Sequence, residues 1–159
     1  MFQVFFLLLA IVAASIHIAL SRHRRSNRSA IVETYLIYLL FIYVGLMGVY
    51  TAYGHVFRPA QTSASIGWLP SPYEYEVGMA DLTIGILGIL CLRFRDNFWL
   101  ATAIANAVWL IGDSVGHVRQ MIIANNRAPN NSGIFLVAEI VTPVVILLLT
   151  LYHRKQRSL

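Results

Sequence analysis

A helix that crosses the hydrocarbon of a bilayer needs roughly 20 mainly apolar residues, each rising ~1.5 Å across ~30 Å. Five stretches of this chain reach or approach that length: Phe2 to Leu20, Ile31 to about Tyr53, Val77 to Leu92, Phe98 to about Ile123 and Gly133 to Tyr152. The third is short unless it begins near Tyr73. Only 12% of the 159 residues are charged, against about a quarter in soluble domains, so too little polar surface is left to cover a core in water. The mean hydropathy of +0.67 agrees. Disorder, collagen and a soluble coiled coil are excluded by the same composition. The single cysteine, Cys91, leaves no internal disulfide framework. The expected fold is all-α: a polytopic membrane helix bundle forming one membrane domain over residues 1–159. Its spans are expected at about 2–20, 31–53, 77–92, 98–123 and 133–152, with an outer loop at 54–76.

Charge sets the orientation. With the N-terminus outside, the inner segments hold Arg22, Arg24, Arg25, Arg28, Arg93, Arg95, Arg154, Lys155 and Arg157, leaving Arg58, Arg119 and Arg127 outside. The positive-inside rule favours this arrangement, N-out and C-in. Tyr35, Tyr38, Trp99 and Tyr152 mark the inner interface, and Tyr50, Tyr53, Trp68, Tyr73 and Tyr75 the outer. The first stretch has its basic cluster after the apolar run rather than before it, which reads as a retained anchor, not a cleaved signal peptide. The loop 54–76, with Pro59, Pro70 and Pro72, is too short for a domain but long enough to fold back over the outer face. Glycines at 45, 48, 78, 85, 88, 112 and 116 offer close helix contacts, Gly112 and Gly116 as a GxxxG pair.

Ionisable side chains inside lipid-spanning helices are costly and mark function by default. Counting inwards from the outer helix ends at ~1.5 Å per residue, Asp81 lies about 8 Å down, Glu139 about 9 Å and His117 about 10 Å. Three helices thus put an acid or imidazole at nearly one depth. Asp113 sits one turn deeper than His117 on the same face, and Glu76 stands at the rim. The expected pocket is therefore Glu76, Asp81, Asp113, His117 and Glu139, opening outward, with Arg58 and Arg119 as outer partners. Glu33 and His17 read as solvated or headgroup-bound residues at the inner side.

Net acidity with one imidazole suits a divalent metal such as Zn, Mn or Fe, with Asp113, His117 and Glu139 as the ligand set. Closely spaced carboxylates suit a proton relay equally well. A structural polar cluster in an accessory or scaffold subunit is the alternative, with Ser114 and Thr142 as nearby donors. A small proton-coupled transporter is a further alternative, disfavoured because the acids stop in the outer half. No phosphate-binding loop is present. Ser114, His117 and Asp113 fail as a nucleophilic triad, because Ser114 points ~100° away from the other two. The sequence names no reaction. The basic segment from Arg22 to Arg28 faces anionic lipid rather than nucleic acid. The expected partners are the bilayer and either further copies of the chain or another subunit of a membrane complex.

The run Ser71-Pro72-Tyr73-Glu74-Tyr75-Glu76-Val77-Gly78-Met79-Ala80-Asp81 is followed by Gly112, Gly116-His117, Asn126, Ala128-Pro129, Asn131, Gly133, and Glu139 with Pro143. In that order and spacing, these motifs resemble a domain-of-unknown-function family of small bacterial integral membrane proteins akin to DoxX-like bundles. The resemblance covers about residues 71–143. It implies a four-helix membrane bundle in the bacterial inner membrane, to which the first helix is an addition. It draws notice to Glu76, Asp81, His117 and Glu139, with a glutamate at 139 where the family pattern has an aspartate.

Overall fold

A computed structural model describes residues 2–157. These are all-helical, with no strand among the described residues. Seven helices follow in order: α1 (Phe2–Leu20), α2 (Arg22–Arg25), α3 (Arg28–Phe57), α4 (Pro59–Ile66), α5 (Tyr73–Leu90), α6 (Asn97–Ile123) and α7 (Ile134–Arg157). Four of them, α1, α3, α6 and α7, are long and apolar enough to cross a membrane. Their outer faces fit lipid: along one side of α6, Val108, Val115 and Ile122 are 70%, 65% and 77% exposed. A stripe of that kind facing water would drive association.

Local chemistry places the helix ends. Asn27 starts α3 by accepting the backbone N–H groups of Ser29 and Ala30 at 3.0 and 3.2 Å. Pro59 opens α4, its fixed φ suiting the first helical turn, and Gly67 closes it at φ 71°. Over Leu39–Leu46, α3 is π-helical, with the N–H of Met47 reaching back five residues to the carbonyl of Ile42. Pro143 interrupts α7 and has no N–H for the carbonyl of Glu139 one turn earlier.

Several bounds differ from the sequence expectation. The second span continues past Tyr53 to Phe57, α5 begins at Tyr73 rather than Val77, and α7 runs on to Arg157. The expected outer loop 54–76 is therefore mostly helical. Its short polar helix α4 lacks an apolar period and is held by its end residues and by tertiary bonds instead.

α5 packs chiefly on α3 and α6 on α7, while α1 lies against α3 and α7. Glycine makes the α3–α5 contact possible. A Cβ on Gly48 would lie 2.8 Å from Gly85 Cα and 2.9 Å from the carbonyl of Asp81, and one on Gly88 would run into the backbone of Gly45. Gly112 behaves otherwise: a Cβ there meets nothing within 4 Å, so the GxxxG pair is not a helix contact, and Gly116 instead borders the Trp68 ring. Gly88→Leu should therefore lower stability by about 1–3 kcal/mol through overpacking. Gly112→Ala should leave stability unchanged or raise it by up to about 1 kcal/mol. Thermal unfolding in detergent micelles reads both variants.

Candidate functional site

The bundle has an arginine-rich end and an end capped by α4 and the turn 124–133. At the capped end, α6 directs Asn106, Leu110, Asp113, Ser114 and His117 inwards, at helical spacings of three and four. Asn106, Leu110, Asp113 and His117 border a cavity of about 310 Å³ that is also lined by Phe2 and Gln3 of α1, Thr51 and His55 of α3, Glu74 and Asp81 of α5, and Phe135 and Glu139 of α7. Asp81, Asp113, His117 and Glu139 thus share one cavity. Glu76 does not: its side chain is exposed and turns away from the cavity, and Glu74 takes the place expected for it. Arg58 and Arg119 are exposed, and no ion pair among the described residues joins them to the acids; Arg58 stacks over Tyr53 instead. Glu33 pairs with Arg95 at 3.6 Å at the opposite end.

Two imidazole groups stand on different walls. On the α6–α7 wall, His117 Nε2 lies 3.6 Å from Asp113 Oδ2 and 3.8 Å from Glu139 Oε2. One potential ligand atom from each of the three residues falls within 4.8 Å of the others, close enough together to hold a metal ion. Glu139 is 1% exposed and Asp113 is half-exposed, so the group is closed below and open on one side. Gln3 donates to Glu139 Oε1 at 3.1 Å, and the Ser114 hydroxyl lies 3.0 Å from Oε2.

The tautomer of His117 is set by its neighbours. The Trp68 indole N–H can only donate, and it donates to Asn131 Oδ1 at 2.9 Å. The Asn131 amide nitrogen faces two carbonyl oxygens, those of His117 and Asn126. Oδ1 is therefore an acceptor, and His117 Nδ1, 2.8 Å away, must carry the proton it receives. In the neutral ring, Nε2 is a bare lone pair aimed between two carboxylates. The ring is held from above by Trp68, 5.4 Å between centroids, and edge-on by Phe135 at 5.5 Å.

On the α3–α5 wall, Glu74 Oε2 accepts from His55 Nδ1 at 2.6 Å, and Asp81 Oδ2 lies 3.9 Å from Nε2. Ser63 of α4 donates to the other Glu74 oxygen. The Trp109 indole donates to Asp81 Oδ1 at 2.8 Å. Neither His55 nor Glu74 was among the expected site residues. Both share a helical phase with residues already singled out: His55 is seven residues past Gly48, and Glu74 seven before Asp81. Glu76, five before Asp81, lies ~140° around the helix.

The profile described as "Family of unknown function (DUF6790)" matches residues 1–158. The chain belongs to this family. The match takes in α1 and the arginine-rich link as well as the segment 71–143 that carried the resemblance. No curated protein and no solved structure matches the chain.

The segment after α4 is latched over the cavity. Asn126 Nδ2 donates to the carbonyls of Ile66 and Gly67 at 2.7 and 3.3 Å, and Trp68 is tied to Asn131 as described. Trp68→Phe removes one hydrogen bond worth roughly 0.5–1.5 kcal/mol, so amide exchange across 59–66 should speed up by about 2–10-fold. Hydrogen–deuterium exchange with mass spectrometry measures it. Unchanged rates would show that Trp68 is not the latch.

Proposed function

We propose that this protein is a five-span membrane protein, N-terminus outside and C-terminus inside, that binds a divalent cation in an outward-facing cavity through Asp113, His117 and Glu139. The single observation behind this reading is the convergence of His117 Nε2, Asp113 Oδ2 and Glu139 Oε2, with His117 Nδ1 held by Asn131 on the far side of the ring. A cation between these three atoms, a proton or a metal, would offset the charge of the two carboxylates. The separations of 3.6 and 3.8 Å are long for hydrogen bonds, which close at ~2.7–3.2 Å. They are close to the ~3.3 Å ligand–ligand edge of a tetrahedral site with ~2.0–2.1 Å bonds. One imidazole with two carboxylates suits Zn, Mn or Fe. Asn131 is the outer partner that ligating histidines ordinarily have on their second nitrogen. Three protein ligands leave positions open for water or a substrate, as in catalytic and transport sites rather than closed structural ones.

The topology rests on the excess of Arg and Lys at one end of the bundle. α5 is the fifth span. Its three acids, Glu74, Glu76 and Asp81, are accounted for by the cavity and the capped rim, leaving the rest of the helix apolar. The expected location is the bacterial inner membrane, with lipid as the surrounding partner and a second copy or a complex subunit on its outer faces.

Detergent-purified protein incubated with Zn, Mn or Fe(II) should carry one metal per chain by elemental analysis and native mass spectrometry, which also reads the oligomeric order. His117→Ala and Glu139→Gln should abolish binding, and Asn131→Ala should weaken it by about 10–100-fold. Metal-free wild-type protein after all three incubations overturns the reading.

A further inference from the structure

We propose that His55 is a proton carrier between two compartments of the capped end, exchanging protons between an outer vestibule and Asp81 in the deep cavity. The inference goes beyond the cation site and concerns a different wall of the same cavity. A second hollow of about 300 Å³ lies beside the first, bordered by Tyr53, Arg58, Gln61 and Asn130. Five residues line both hollows: Phe2, Thr51, His55, Thr62 and Ser65. They form the partition, and His55 is the titratable side chain among them.

The two histidines of the deep cavity differ in what holds their second nitrogen. His117 Nδ1 is committed to a neutral amide, which makes that ring a ligand. His55 has a carboxylate at each edge. Glu74 accepts the Nδ1 proton at 2.6 Å, and because Asp81 stands at the opposite nitrogen, no common centre for a metal exists between the two acids. Glu74 holds Nδ1 and so fixes the tautomer, leaving Nε2 as the ring nitrogen that faces Asp81. The other titratable groups facing the two hollows are Asp113 and His117 of α6 and Glu139 of α7 across the cavity, Tyr73 of α5, Tyr50 and Tyr53 of α3, and Arg58, which is stacked over Tyr53. α1 and α4 present neutral side chains: Phe2 and Gln3 from the first, and Gln61, Thr62, Ser63, Ser65 and Ile66 from the second.

The transfer is simple. A hydronium ion in the vestibule gives a proton to Nε2, its O–H bond breaking to leave water, which yields an imidazolium between two carboxylates. The Nε2–H bond then breaks as an O–H bond forms on Asp81 Oδ2, across a 3.9 Å gap that one water or a small side-chain rotation spans. Glu74 keeps its hydrogen bond to Nδ1 and acts as a positioning residue, itself held by Ser63.

Trp109 supplies the readout, because its indole N–H donates to the Asp81 carboxylate. The experiment is a stopped-flow pH jump on full-length protein in nanodiscs of phosphatidylcholine and phosphatidylglycerol, following tryptophan fluorescence with no divalent metal present. The Trp109-dependent phase, identified by its loss in Trp109→Phe, should keep its amplitude in His55→Gln but slow by at least about 10-fold. That amide can still bond Glu74 but has no ring nitrogen to carry the proton. Glu74→Gln should slow the phase to a smaller degree, providing a second variant with the partition intact, and Asp81→Asn should remove it. Equal rates in wild type, His55→Gln and Glu74→Gln overturn the proposal, since protons would then reach Asp81 without the ring. A wild type lacking any Trp109-dependent phase overturns it as well. Because the assay is metal-free, its outcome is independent of whether Asp113, His117 and Glu139 bind a cation.

Discussion

The approach of α3 to α5 along Gly45, Gly48, Gly85 and Gly88 decides where the polar groups of the capped end stand. In lipid the hydrophobic effect gives helices no reason to meet, so small residues that admit backbone contact carry the association. Because Gly48 faces the carbonyl of Asp81, the seam also fixes the height of Asp81 relative to α3. His55, two turns further along the same face, then comes level with both Asp81 and Glu74. Packing with no polar component thus sets the geometry of one imidazole–carboxylate wall.

The other wall is built by a different means. His117, Asp113 and Glu139 come from two helices joined by the turn 124–133, and that turn supplies the Asn131 amide that orients the ring. Asn131 is fully buried and has every polar atom engaged, by Trp68, His117 and Asn126. The same side chain therefore joins the covering segment to the cation group. A buried polar side chain holds its geometry only if each polar atom has a defined partner, and Asn131 meets that condition for the ring it orients.

The long spans were legible because length and hydropathy alone determine them, and the depth of Asp81, His117 and Glu139 followed from counting residues. What escaped was phase and the loop. Glu76 reads as the rim acid from its place at the start of the span, yet seven residues separate Glu74 from Asp81 and put those two on one face, whereas Glu76 points elsewhere. His55 was hidden by the assignment of 54–76 to a loop, since a residue outside a helix has no face to share with Gly48. Helix α4 gave almost no signal beyond Pro59 and Gly67, because its stability comes from Asn126 and Glu74, residues distant in sequence. The GxxxG pair misled for the opposite reason: the spacing was right, but Gly112 faces open space and Gly116 the Trp68 ring.

The π-helical stretch of α3 carries a consequence for the whole helix. Before Leu39 the helix leans on α1 and α7; after Leu46 it leans on α5. The wider turn accommodates one more residue than an α-helical one, displacing all that follows by roughly 100° around the axis. It works as a phase shifter, letting one rod offer two differently aimed surfaces. A chain shortened by one residue there would keep its length class, its greasiness and its place in the bilayer, yet rotate the glycine seam and His55 out of line together.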